Sequence, residues 1–327
     1  MDATRLRIAE DDAGQRVDRF VRKLLPGLAL SAVYKLLRSG RVRVDGAKVG
    51  PGARLGAGQE LSLAMPADEL ARLGFGGPTR RAAPAPAPAL PPPEVVYEDD
   101  DLCVVVKPAG LAVHEGTGHE RDSLAARVRA RLGDRGALRF RPAPAHRLDR
   151  DSSGLVAFGK TAAGLRGLAA AFRARDLRKL YLAVVDGRPP ARGELGGRFS
   201  VREQAGAAEP RLVPDPEGAE ARLTFSRLAA AGAHALCEVE LGTGRRHQIR
   251  AQLAAAGHAL AGDLRYGGRA LPEAARRAAG GRRFLLHAWR LELRHPLRDE
   301  VLALEAPLPE DLRAALAALG LPWPPRR

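Results

Sequence analysis

One stretch divides this chain before any fold is considered. Residues 64–93 contain eight prolines in thirty positions and end RRAAPAPAPALPPP. Proline has no amide hydrogen for a helix or a sheet ladder, so the segment reads as an extended, semi-rigid spacer. It separates a small N-terminal module, residues 1–63, from a body, residues 94–327. A length of 327 residues suits about two domains, and 45% apolar residues supply material for a core in each.

Several classes are excluded at once. No run approaches the roughly 18 consecutive apolar residues that cross a bilayer, and MDATRLRIAEDD at the start is too charged for a secretory signal. The expectation is a soluble, cytoplasmic protein with no membrane partner. Cys103 and Cys237 are the only cysteines, far apart and each inside an apolar run. They build neither a disulfide framework nor a thiolate metal cluster, so no structural zinc, no iron–sulfur centre and no other metal is expected.

Charge points to a polyanion. There are 53 Lys+Arg against 38 Asp+Glu, a net charge of +15. Only six of the cations are lysine, which is the imprint of a GC-rich genome as much as of phosphate binding, so position matters more than the total. The small module holds twelve Lys/Arg against seven Asp/Glu, and Lys35, Arg38, Arg41 and Arg43 fall within nine residues.

In that module Val17, Phe20, Val21, Leu24 and Leu25 recur at i, i+3, i+4, i+7 and i+8, an amphipathic helix stopped by Pro26-Gly27. Ser31 reads as the N-cap of a second helix that turns Val33, Leu36 and Leu37 inward and Lys35 and Arg38 outward. RVRVDGAKV then reads as two short strands around an Asp45-Gly46 turn, and GAGQELSL as one more. Helix, helix, hairpin and strand, with a Gln-Arg-Val-Asp helix start and G-x-V-x-V-D-G, resemble an S4-type RNA-binding module. The resemblance implies that Lys35, Arg38, Arg41 and Arg43 face RNA phosphates.

The body opens with Val95-Val96-Tyr97, an acidic turn and LCVVVKP, two strands with Pro108 closing the second. Leu165, Leu168 and Phe172 mark a helix, KLYLAVVDG a buried strand, and Ile249, Leu253 and Ala256 another helix ended by Gly257. Strands and helices alternate without a regular βαβ beat. The fold class is therefore α+β, a mixed and mostly antiparallel sheet with flanking helices.

Three apparent motifs fail on their spacing. HEGTGH at 114–119 sets its histidines five apart with two glycines between, so they cannot share a helix face as in a zinc protease, and it reads as a loop. GTGRRHQ is neither a phosphate loop nor a dinucleotide fingerprint. DSSG is not a nucleophile elbow.

HRLDRDSSGLVAFGK, residues 146–160, is more specific. It sets Asp149 between Arg147 and Arg150, just before a Ser-Ser-Gly turn and an apolar run. Cations hold such a carboxylate ionised while apolar walls limit its hydration, which suits a nucleophile. Spacing alone favours a turn-capping aspartate in a surface ion pair.

The segment resembles the HRLD-x-x-[ST]-SGL-x-x-x-x-K signature of the RluA family of RNA pseudouridine synthases. RKLYLAVVDG, LGTGRRHQIRAQLAAAGHALAGDLRYG and LLHAWRLELRHP match further signatures of that family in the same order. Ser152-Ser153 replaces the usual Thr-Ser, Arg246 replaces a threonine, and residues 196–220 match no signature.

The resemblance implies an isomerase that breaks the N1–C1′ bond of a uridine in 23S, large-subunit rRNA, turns the base and rejoins it through C5, with no cofactor. Asp149 is then the catalytic carboxylate, either as nucleophile or as the base that removes the 2′ proton. Arg250 pairs with it through a fork on both oxygens, from the edge of its helix's buried stripe. Tyr181 stacks on the uracil and joins the late proton transfer. Arg147 fills the gap left by the flipped base, and Leu286 packs beneath the uracil. His146, His247 and His287 are expected to complete hydrogen bonds rather than to transfer protons. The partner is RNA, free or in an assembling large subunit, and the chain is expected to be a monomer. The alternative is a catalytically inert S4-type RNA-binding or ribosome-assembly factor.

Overall fold

The computed structural model describes residues 3–75, 91–115, 122–133, 140–203, 211–281 and 283–323. Most of the proline stretch, and residues 116–119 of HEGTGH, lie outside them. The chain forms two compact units. The first is Met1–Pro92 with Arg127–Ala143 and Lys160–Ala163, and the second is Pro93–Ala126, Pro144–Gly159 and Gly164–Arg327.

The N-terminal module contains β1 (Thr4–Arg7), α1 (Val17–Leu24), α2 (Leu30–Ser39), β2 (Val42–Val44), β3 (Ala47–Lys48), β4 (Glu60–Leu63) and α3 (Ala67–Arg72). Its antiparallel sheet runs β1-β4-β2-β3. Val17, Phe20, Val21, Leu24 and Leu25 are all buried, as the 3.6-residue period predicts. Asp45 and Gly46 have φ of 50° and 76°, the two left-handed positions that a type I′ hairpin requires.

Two expectations for this part of the chain need correction. Ser31 is not an N-cap: α2 begins at Leu30, Ala29 is its N-cap, and no side chain caps it. Residues 64–75 are not spacer either. Met65 and Leu70 are buried in the module's core, with Leu73 and Phe75 packed against it.

The body holds β5 (Glu94–Glu98), β6 (Leu102–Lys107), α4 (Leu124–Leu132), β7 (Ala143–Pro144), β8 (Ser153–Gly159), α5 (Ala162–Ala174), β9 (Leu177–Asp186) and β10 (Arg192–Arg202). It continues with β11 (Arg211–Pro214), β12 (Ala219–Ala231), β13 (His234–Leu241), α6 (Gln248–Ala255), α7 (Glu273–Ala278), β14 (Leu286–Arg294), β15 (Val301–Glu305) and α8 (Glu310–Ala318). The long sheet runs β11-β10-β12-β13-β9-β14-β8-β6-β5, with β15 on β14 and β7 on β8.

Where strand direction is assigned, every pairing in the body is antiparallel except one. β14 runs parallel to β8, with His287 opposite Ser153 and Ala288 opposite Gly154. The approach is so close that a Cβ at Gly154, whose φ is +116°, would fall on the Ala288 backbone. The expected Ser-Ser-Gly turn is therefore not one: Ser153 and Gly154 open β8, because the close approach of Ala288 needs a residue without a side chain there, and this fixes where the preceding Asp149 loop enters the sheet.

Candidate active site

Asp149 lies in the loop before β8. Its carbonyl accepts the Ser152 amide at 3.2 Å, closing the turn. The loop is held from below by Lys107 at the end of β6, wholly buried. Lys107 Nζ donates to the carbonyls of Pro108, Leu111 and Arg150 at 2.9, 2.8 and 2.8 Å. Burial pushes the Lys107 ammonium down to about 7, against the pull of Asp151. Gly110 and Arg150 complete the clamp, with the Gly110 amide on the Arg150 carbonyl at 2.9 Å and Arg150 Nε on the Gly110 carbonyl at 3.0 Å.

Arg250 comes from α6, which is buried along Gln248–Leu253 rather than on one stripe, so Arg250 sits inside and not at an edge. The helix tolerates this because its polar groups are paired. Gln248 Nε2 donates to the Arg222 carbonyl at 3.0 Å, and Gln252 Nε2 donates to those of Leu195 and Ala221 at 3.0 and 3.1 Å. Arg250 Nη1 donates to Asp149 Oδ2 at 3.1 Å. The expected fork on both Asp149 oxygens is not formed, because Nε and Nη2 grip Asp263 Oδ2 and Oδ1 at 2.7 and 2.9 Å. The guanidinium also lies over the rings of Phe284 and Tyr266, 4.2 and 5.0 Å from their centroids. Burial works against its charge, but Asp263, and then Asp149, raise its pKa above the ordinary arginine value.

The second Asp149 oxygen faces a histidine, His247. His247 precedes α6 with a left-handed φ of 54°. Its Nε2 lies 3.6 Å from Asp149 Oδ1, and its Nδ1 is 3.0 Å from the Tyr266 hydroxyl. That hydroxyl accepts the Leu212 amide at 2.8 Å. Asp263, Tyr266 and His247 all fall within LGTGRRHQIRAQLAAAGHALAGDLRYG, so the signal was present, but nothing local says which of its side chains turn toward Asp149.

Tyr181 stands on β9 between Val239 of β13 and Ala288 of β14. Burial, and secondarily the Asp149 charge, push its phenol far above the ordinary tyrosine range, so it stays protonated at neutral pH. Arg147, Asp149, Tyr181, Arg250 and Leu286 all line one recess of about 60 Å³. It adjoins a wider cleft of about 550 Å³, which also contains Arg147, Asp149, Tyr181 and His247. The five site residues expected in the body therefore converge.

Lys35, Arg38, Arg41 and Arg43 belong to the N-terminal module, where they differ. Lys35, Arg38 and Arg43 are exposed. Arg41 is half-buried, with Nε on the Ala64 carbonyl at 3.1 Å and Nη2 on Glu69 at 2.8 Å, so it ties α3 to the module. Arg43 folds over the hairpin, donating to the Gly40 and Gly46 carbonyls at 3.1 and 3.0 Å.

Among the described residues one trio, Asp99, His295 and Glu300, has three potential metal-ligand atoms within 4.8 Å of one another. Asp99 is already engaged by the amides of Asp101 and Leu102, the Tyr97 hydroxyl and His295. The trio is a structural tie between the β5–β6 turn and the end of β14. Among the described residues no helix is long and apolar enough to cross a membrane.

A single anchored carboxylate beside a protonated phenol, at the foot of a cation-lined cleft, defines a class: an enzyme that works on a nucleoside held in a nucleic acid. A family model described as RNA pseudouridylate synthase matches residues 101–255, and the S4 domain matches residues 15–61. The chain is 33% identical to ribosomal large subunit pseudouridine synthase C of Salmonella typhimurium and of Escherichia coli K12, over 324 residues and 95% of each chain. It is 32% identical to ribosomal large subunit pseudouridine synthase D of Nitrosomonas europaea, over 96% of this chain and 87% of that one.

The solved structure of human RNA pseudouridylate synthase domain containing 4 shares the fold, with a TM-score of 0.56 at 24% identity, covering 69% of this chain and 93% of that one. The 33% identity to the ribosomal synthases over 95% of each chain shows the family. The chain belongs to the RNA pseudouridylate synthase family, and it is a pseudouridine synthase with an N-terminal S4 domain.

Proposed function

We propose that this enzyme converts specific uridines of 23S, large-subunit rRNA to pseudouridine in the cytoplasm, acting as a monomer on free rRNA or on an assembling large subunit. The reading is carried by the full-length likeness to synthases named for the ribosomal large subunit. It is supported by the convergence of Asp149, Tyr181 and Arg250 in one recess. That convergence favours an enzyme over an inert RNA-binding or assembly factor, which has no need of a buried arginine on an aspartate.

The chemistry follows from the site. Pseudouridine formation is an isomerisation: the N1–C1′ bond breaks, the uracil turns, a C5–C1′ bond forms, and the C5 proton is exchanged for one on N1. Asp149 acts at the sugar. Because Arg250 holds Oδ2, Oδ1 is the oxygen left to attack C1′ or to take the 2′ proton. Arg250 keeps the carboxylate ionised and oriented. The Tyr181 ring stacks on the freed uracil while its protonated hydroxyl serves the late proton transfer, and Leu286 closes the floor of the recess. Arg147, exposed at the mouth, takes the place of the base drawn out of the RNA. Stacking on an aromatic, about 1–3 kcal/mol, offsets much of the few kcal/mol needed to unstack a nucleotide.

The test is to incubate the protein with unmodified 23S rRNA and map carbodiimide-dependent reverse-transcription stops, with Asp149→Asn in parallel. New stops with wild type and none with a folded, RNA-binding Asp149→Asn are expected. Stops that persist in the variant overturn the role of Asp149. Stops on small-subunit rRNA or tRNA, and none on 23S rRNA free or in particles, overturn the substrate.

A further inference from the structure

The wider cleft is more cationic than the isomerisation needs. Arg147, Arg173, Arg175, Lys179, Arg245 and Arg246 line it, and Asp149 is the only carboxylate among its lining residues. Three of these cations, Arg147, Arg245 and Arg246, belong to signatures already discussed. The group formed by Arg173, Arg175 and Lys179 has no role so far.

Local structure aims that group. Arg173 is in the last turn of α5, and Arg175 follows it with a left-handed φ of 60°. Lys179 stands on β9 two residues before Tyr181, so strand alternation puts both side chains on the same face of the sheet. The intervening position shows the contrast. Arg178, on the opposite face, reaches Glu240 and Glu292 at 3.0 and 3.1 Å. The side chains of Arg173, Arg175 and Lys179 have no hydrogen-bond or ion-pair partner among the described residues. Lys179 is half-buried, and burial, then the Arg175 guanidinium, lower its pKa. Arg173 and Arg175 are exposed beside it, and like charges held together along one wall of a cleft focus a positive potential on whatever enters.

We propose that Lys179, Arg175 and Arg173 form a phosphate-binding subsite for the RNA strand next to the target uridine, fixing which nucleotide reaches Asp149 and Tyr181. The subsite rests on the reading of the chain as an enzyme of RNA. Phosphodiesters suit it because the strand that delivers a uridine to Tyr181 carries its nearest phosphates past the same wall. An ammonium and two guanidiniums without protein partners supply the donors.

The test compares wild type, Lys179→Met, Lys179→Arg and Arg175→Asn, the last chosen because asparagine tolerates a left-handed backbone. Binding of unmodified 23S rRNA is measured from low to high salt, together with the thermal midpoint and wild-type pseudouridine formation. Lys179→Met and Arg175→Asn are each expected to flatten the slope of log affinity against log salt by about 0.7–0.9, one phosphate contact. Neither should melt below wild type, and Lys179→Arg should keep the wild-type slope. A wild-type slope in both Lys179→Met and Arg175→Asn overturns the subsite, as does a flattened slope that comes with a lower melting midpoint and is not restored in Lys179→Arg. Wild type that binds RNA with the full slope but forms no pseudouridine overturns the proposed substrate and leaves the subsite standing.

Discussion

Arg250 gives its fork to Asp263 and a single arm to Asp149. The bidentate contacts are 2.7 and 2.9 Å, and the single contact is 3.1 Å. The arginine is thus fixed by a partner that need not move during the reaction, while Oδ1 of the catalytic carboxylate, facing His247 Nε2 at 3.6 Å, stays outside the arginine's grip. An arginine forked on Asp149 itself would occupy Oδ1 as well, the oxygen that acts at the sugar.

Asp263→Asn removes the anchor and leaves the Arg250 charge buried with one partner. Breaking such a pair costs about 3–5 kcal/mol. A clearly lowered melting midpoint is expected, together with a fall in single-turnover rate at saturating RNA, because Arg250 is then free to swing onto both Asp149 oxygens. A variant as active and as stable as wild type would show that the fork is incidental.

Tyr181 separates into ring and hydroxyl. Tyr181→Phe keeps the stacking surface and loses the proton carrier, so kcat should fall with KM nearly unchanged. Tyr181→Leu loses the stack as well, worth about 1–3 kcal/mol, and both kcat and kcat/KM should fall further. Steady-state kinetics on one mapped uridine distinguish the two, and equal kinetics for the two variants would mean that the ring contributes nothing.

The N-terminal cations should divide by their contacts. Lys35→Ala and Arg38→Ala remove exposed charges, so each is expected to flatten the salt dependence of RNA binding by about 0.7–0.9, one phosphate contact, with no change in melting. Arg41→Ala breaks the tie to Glu69 and to the Ala64 carbonyl. It should lower stability by about 1 kcal/mol and leave the salt slope unchanged. Slope and melting midpoint, measured on all three, test this directly.

His287 sets an acid limit on stability. Its ring is wholly buried, with Nδ1 2.9 Å from Ser153 Oγ. Burial, then the Arg283 charge, push it down to about 3. Between there and the ordinary value near 6.5 the unfolded chain binds the extra proton. Stability from this group is therefore full above about pH 6.5 and declines as pH falls toward 3. The loss at pH 5 is about 2 kcal/mol. Denaturant titrations at pH 7 and pH 5 should show a smaller difference for His287→Asn than for wild type, and an equal difference would assign the acid sensitivity elsewhere.

Much was legible in the residues alone. The helix of Val17–Leu25, the Asp45-Gly46 hairpin, the buried β6 and β9 and the position of Asp149 follow from hydrophobic period, turn chemistry and motif, all of which act over a few residues. The family likeness was equally legible, because its signatures are contiguous. What the tertiary structure decided are the partnerships. Arg250 meets Asp149 across 101 residues and Asp263 across 13. Which carboxylate takes the fork depends on where a loop returns, not on spacing. His247 joins the site because its left-handed backbone and Tyr266 turn its ring there, and Arg41 is tied within the module because Glu69 of α3, in the segment before the prolines, comes back to meet it. Periodicity tells a side chain which face it is on, but only the packed chain tells it what it faces.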